Sequence, residues 1–152
     1  LDRSSAASDV YKRQCWLRRL PPARVTSEVD RILSLTSLAD HSGQKIKTLS
    51  GGMRRRVTIG SALVGEPSLI ILDEPSAGLD IGQRDSLSTI LGSVAEQAVT
   101  IVSTHLVEDI IDHADTITIM NTGRLCFDGS VEDFSASRSL EAVRDAYLGL
   151  VS

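Results

Sequence analysis

The chain has 152 residues, 41% of them hydrophobic and 24% charged, a balance that suits one ordinary globular domain and excludes wholesale disorder. Sixteen Lys and Arg against twenty Asp and Glu leave a net charge of −4, the wrong sign for a dedicated nucleic-acid binder. Aromatics at 3% offer no base-stacking platform. The longest aliphatic run, Leu69-Ile70-Ile71-Leu72, falls far short of the roughly 20 residues of a membrane-spanning helix. The two cysteines, Cys15 and Cys126, lie far apart with no CxxC spacing, so neither a disulfide framework nor a zinc site is expected and a reducing compartment fits.

Residues 4–14, SSAASDVYKRQ, resemble the translation of a transposon adapter used in DNA library preparation. Residues 1–14 are therefore expected to be an artefactual tail, with the protein's own sequence starting near Cys15. Cys15–Leu20 reads as a helix end stopped by Pro21-Pro22. Val29, Ile32, Leu33, Leu35 and Leu38 space out as one or two short helical turns from Thr26. Asp40–Thr48 reads as a loop. A helix starts at Ser50, a residue of N-cap type, and stops at Gly65 before Pro67. Ser68–Leu72 and Ala98–Val102 are continuous apolar runs, expected as parallel strands buried on both faces. Between them Asp80 can cap a helix over Arg84–Ala95. Leu106, Val107, Ile110, Ile111 and Ala114 repeat at helical spacing. Asp115–Met120 and Arg124–Phe127 pair as a hairpin about Asn121-Thr122-Gly123, and Leu140–Val151 reads as an amphipathic helix. The alternation of strand and helix is an α/β pattern.

In open parallel sheets ligands gather at the carboxyl ends of the strands. One strand candidate ends in Asp73-Glu74 and the other leads to His105. The first carboxylate can hold Mg²⁺ through its oxygens or waters, and the second can orient and deprotonate a water. An acidic turn closing a strand is the alternative reading of that pair. Leu49-Ser50-Gly51-Gly52-Met53 opens a helix with a hydroxyl and two glycines, which leaves N–H groups and the positive end of the helix dipole for an anion; simple helix capping is the alternative there. Arg54-Arg55-Arg56 reads as a solvated helix face. His41 and His113 read as ordinary surface or boundary histidines, and Cys126 as packed beside Phe127.

LSGGM at 49–53, LIILDEPSAGLD at 69–80 and STH at 103–105 occur in the order and spacing of the ATP-binding-cassette (ABC) ATPases. From about Trp16 onward the chain is similar to the second half of such a domain. The resemblance implies a partial P-loop NTPase of α/β class, with 15–48 the end of the helical subdomain, 49–130 part of the ATPase core and 131–152 a helical extension. It implies that Leu49, Ser50, Gly51, Gly52 and Met53 form the signature motif, with Ser50 and Gly52 touching the γ-phosphate of ATP held by an opposite subunit. Asp73 would position Mg²⁺ and Glu74 would act as general base. Ser76 to Asp80 would cross a dimer interface, and His105 would bridge Glu74 and the γ-phosphate.

The implied partners are a second nucleotide-binding subunit and membrane permease subunits, with no nucleic acid, at the cytoplasmic face of a membrane. Met53 in place of a frequent Gln resembles drug- and lipid-type exporters, so export is expected. Ile81 replaces a frequent Pro. The 152 residues contain no GxxxxGK[ST], the loop whose backbone and Lys cradle phosphates, so the chain alone is expected to turn over no ATP. A soluble non-transport ABC ATPase and an inactive remnant are the competing readings.

Overall fold

Helix propensity and proline placement set out the first part of the chain. In the computed structural model, which describes residues 5–106 and 113–151, α1 (Ala7–Leu17) is followed by α2 (Pro22–Leu35), with Pro22 at its first position. A helix does end within the expected Cys15–Leu20 stretch, at Leu17, but short of the prolines, and Pro22 instead starts α2: a proline at N1 lacks only an N–H that the helix would leave unpaired, and its fixed φ suits the first turn. The expected one or two short turns from Thr26 are part of this one continuous helix. The predicted loop 40–48 contains two 3₁₀ turns, Ala39–His41 and Ile46–Thr48. Next come α3 (Gly51–Leu63), β1 (Leu69–Asp73), α4 (Ile81–Ala95) and β2 (Val99–Ser103).

These elements make up one compact unit, Leu1–Ser103. Its core draws Ala7, Tyr11 and Cys15 from α1, Ile32 from α2, Val57 from α3, Ile70 from β1 and Ile90 from α4 into one buried cluster. The segment expected to be a tail is thus packed from Ala7 onward, and Ala7 and Tyr11 have no exposed surface. Gly60 makes that packing possible. A Cβ there would lie 2.5 Å from the Tyr11 hydroxyl oxygen and 2.9 Å from methyl carbons of Ile32 and Thr36.

The strands β1 and β2 pair in parallel, Leu69 opposite Val99 through Asp73 opposite Ser103, as expected. The expectation that they are buried on both faces is not met. Ile70 and Leu72 face the core, while Leu69, Ile71, Val99 and Ile101 are exposed by half or more. The cause is geometric, because side chains alternate across a strand and only the Ile70–Leu72 face of this two-stranded sheet joins the helical core.

The second unit, Thr104–Ser152, holds an antiparallel hairpin of β3 (Thr116–Asn121) and β4 (Arg124–Ser130). Thr122 and Gly123 both have positive φ, 49° and 76°, which is the two-residue turn whose twist matches flanking strands. A one-turn helix, α5 (Val131–Phe134), covers Ile117 and Ile119, with Phe134 against Phe127 at 5.1 Å between ring centres. Cys126 is exposed, not packed beside Phe127 as expected: the ladder passes from Ile119 opposite Phe127 to Met120 opposite Leu125, so Cys126 is the extra residue of a bulge. The final helix α6 (Leu140–Val151) has the predicted bounds. Most of the helix expected over Leu106–Ala114 lies outside the described residues. Among the described residues no helix is long and apolar enough to cross a membrane.

Candidate functional site

The first-unit residues picked out by the sequence come to one end of the β1–β2 sheet and the start of α3. Ser50 is the N-cap of α3, and its Oγ accepts from the Met53 N–H at 3.2 Å. The capping alternative is therefore realised in the free chain. Gly52 is buried against α4: a Cβ added there would lie 2.5 Å from Cδ of Gln83. Gln83 was not visible as a site neighbour in the sequence. Its own N–H donates to Asp80 Oδ1 at 2.9 Å, which makes Asp80 the N-cap of α4 as predicted. A substitution at Gly52 must displace that glutamine, so the starts of α3 and α4 are in steric register.

Asp73 ends β1, and its Oδ1 accepts from Ser103 Oγ on β2. The Glu74 N–H donates to Ser103 O at 3.0 Å and to Ser103 Oγ at 3.1 Å. Glu74 itself has φ +45°, the left-handed region that non-glycine residues enter at a cost. From there the chain turns sharply, with Ala77 N–H donating to Glu74 O at 3.2 Å and Leu79 N–H to Ser76 O at 3.1 Å. Ser76 is buried, at 1% exposure, so of the predicted interface loop it is the turn's anchor, while Ala77 and Gly78 are exposed.

Strand-end carbonyls that leave the ladder need donors, and here an arginine supplies them. Arg55 Nε donates to Pro75 O at 2.7 Å, and its Nη2 donates to Asp73 O at 3.3 Å and to Glu74 O. Its neighbours act the same way. Arg54 Nη1 donates to Leu49 O at 2.5 Å, and Arg56 Nη1 to Thr36 O at 3.0 Å and Ser37 O at 3.3 Å. The expected solvated face of Arg54-Arg55-Arg56 is thus a set of backbone clamps. Their targets are main-chain oxygens, which leave no trace in side-chain sequence. An open cleft of about 490 Å³ separates the α3 start from the turn, lined by Gly51, Arg54, Arg55, Ala77, Gly78 and Leu79 among others.

His105 lies in the second unit, exposed, in a turn where Thr104 Oγ1 accepts from Leu106 N–H at 3.0 Å. Among the described residues no three His, Cys, Asp or Glu side chains cluster as an all-protein metal cage. Asp73 is compatible with Mg²⁺ nonetheless, because that ion is ordinarily held by one or two carboxylates together with water and substrate phosphates.

A parallel strand pair with carboxylates at its carboxyl end and a glycine-rich helix start is an α/β arrangement of the kind whose strand ends hold ligands. The comparisons make the class specific. Residues 3–77 match the family model described as ABC transporter. The chain is 38% identical over 111 residues to the energy-coupling factor transporter ATP-binding protein EcfA3 of Oenococcus oeni, covering 72% of this chain and 38% of that protein. It is 37% identical over 111 residues to the sulfate/thiosulfate import ATP-binding protein CysA of Gloeobacter violaceus, covering 72% of this chain and 32% of that one. A solved structure titled as the ATP binding subunit of an ABC transporter superposes with a TM-score of 0.80 at 24% identity, over 99% of this chain and 64% of the other. The chain has the ABC ATPase fold, its matched segment is ABC transporter ATP-binding domain sequence, and its relatives are ABC ATP-binding proteins. It spans about a third of the length of these two curated relatives, 38% of the first and 32% of the second.

Proposed function

We propose that these residues are the signature-motif half of an ATP-hydrolysing subunit that couples hydrolysis at a subunit interface to transport. The observation that carries the reading is the strand-end pair: Asp73 and Glu74 are both tied to Ser103 of the parallel neighbour, and their carbonyls accept from Arg55 of α3. Asp73 would hold Mg²⁺, and that ion supplies charge neutralisation of the phosphates. Glu74 takes the proton of the attacking water and fixes its direction. Ser50 and Gly52, with Leu49, Gly51 and Met53 shaping the helix start, present α3's N–H end to the γ-phosphate of ATP on an opposite subunit. Ser76 and Asp80 hold the turn that meets that subunit, and His105 is the residue assigned to sense the γ-phosphate.

The proposal includes permease subunits as partners, a peripheral position at the cytoplasmic face of a membrane, and no nucleic acid. It keeps the division into 1–14, 15–48, 49–130 and 131–152, with an adapter origin for residues 4–14. Export rests on Met53 alone, and a relative named for import gives it no support. The 152 residues by themselves turn over no ATP in this reading, since the phosphate-cradling loop is not among them.

The test is steady-state ATP hydrolysis by a full-length subunit bearing these residues. Glu74→Gln lowers kcat by about 100-fold or more, the ordinary contribution of a positioned general base, while nucleotide binding persists. Equal rates in the two proteins would remove the base from Glu74.

A further inference from the structure

We infer that Arg55 is a positioning residue for Glu74, a role that rests on the general-base reading above. Three successive carbonyls, those of Asp73, Glu74 and Pro75, converge on its one guanidinium. Glu74 occupies the left-handed region, which persists only where its surroundings hold it. Both of its backbone groups are held: the N–H by Ser103 O and Oγ, the C=O by Arg55 and by the Ala77 N–H. The strand thus sets one side of the peptide and α3 sets the other.

Arg55 follows Gly51 by four positions within α3, so the two lie on the same helix face one turn apart. The helix start that would meet a γ-phosphate and the side chain that holds the general base's backbone belong to one rigid element. Displacement of that helix start therefore carries Arg55 with it and re-aims the carboxylate. Lysine cannot substitute fully, because a single ammonium is a point donor without the planar fork that spans three oxygens.

The experiment compares wild type, Arg55→Met, Arg55→Lys and Glu74→Gln in the full-length subunit. Methionine keeps the stem's packing and removes the donors. The expected result is a fall in kcat of about 10- to 100-fold for Arg55→Met, the scale of a small misplacement of a catalytic group, with KM for ATP within about twofold and a smaller loss for Arg55→Lys. In the 152-residue chain, hydrogen exchange at the Ala77 and Leu79 amides should quicken by about tenfold in Arg55→Met while the α3 amides stay protected. An unchanged kcat, or a loss that only follows the folded fraction with exchange rising throughout α3, overturns the positioning role. Full turnover by Glu74→Gln would instead strike the general-base reading itself.

Discussion

Glu28→Ala is expected to destabilise the first unit by about 3 kcal/mol, the scale for removing one partner of a buried ion pair. Glu28 is 4% exposed. Its carboxylate accepts from Arg31 Nε at 2.9 Å and Nη2 at 2.8 Å, and from the Gly65 N–H at 2.6 Å. Arg31 Nη2 also donates to Leu63 O at 3.0 Å, and Arg18 donates to Val64 O at 2.6 Å and Ala62 O at 3.0 Å. The last carbonyls of α3, which no helix can satisfy internally, are therefore taken by two arginines that the helix dipole also favours. Alanine at 28 strands the Gly65 N–H and takes two acceptors from the guanidinium, which keeps Leu63 O and Glu66. Arg31 is one-third exposed, so water recovers part of its loss, which keeps the cost toward the lower end of that scale.

The same pair sets an acid limit. Hydrogen bonds from Arg31 hold the Glu28 carboxyl below its ordinary value of 4.5, against the opposing effect of burial. An unfolded glutamate takes up its proton near that value while the folded one stays ionised. The contribution is thus present above about pH 4.5 and is lost as pH falls through the lowered folded value. Urea midpoints measured from pH 7 down to pH 3 should fall more steeply for wild type than for Glu28→Ala. Parallel curves, or a cost below about 1 kcal/mol at pH 7, would contradict this.

Tyr11→Ala should cost about 3–5 kcal/mol, the range for truncating a buried aromatic. The ring is fully buried between α1 and the faces of α2 and α3 that Gly60 leaves open. Its hydroxyl lies 3.5 Å from Thr36 Oγ1, which in turn donates to Ile32 O at 2.7 Å. Burial pushes the Tyr11 pKa from 10.0 up to about 12. Between those values an unfolded tyrosine loses its proton and the folded one keeps it. Its stabilising contribution is complete below about pH 10 and is lost as pH rises toward about 12, up to about 2–3 kcal/mol. Tyr11→Phe should keep most of the stability at pH 7 and remove that alkaline slope. Unchanged urea midpoints in Tyr11→Ala would mean that residues 7–14 are a passive tail after all.

Much of this fold is legible in the residues because local chemistry and tertiary packing agree. Ser50 and Gly65 bracket α3, Asp80 caps α4, and Asn121-Thr122-Gly123 turns the hairpin. What was not legible has two physical causes. A continuous apolar run such as Leu69–Leu72 reports that a strand can be buried on both faces, not that both faces are covered, so the exposure of Leu69 and Ile71 could not be read from it. Long polar side chains aimed at backbone oxygens are equally silent: Arg18, Arg31, Arg55 and Arg56 each secure an element end, yet a carbonyl leaves no pattern at its own position. Pro22 is ambiguous for a third reason, since a proline can stop one helix or start the next, and here it starts α2. At the site, the carboxylates and the glycines were visible as residue types at a strand end and a helix start. Gln83 over Gly52 and Arg55 over Glu74 needed the packed structure.

In the function proposed, these residues supply Asp73, Glu74 and the signature helix to a site that also needs a phosphate-cradling loop. The coding sequence of the source DNA, read across Cys15, tests it directly. The expected result is an in-frame GxxxxGK[ST] loop ahead of CWLRRLPP. A stop codon or unrelated sequence immediately before Cys15 would contradict it, and the roles given to Asp73, Glu74 and His105 would fall with it.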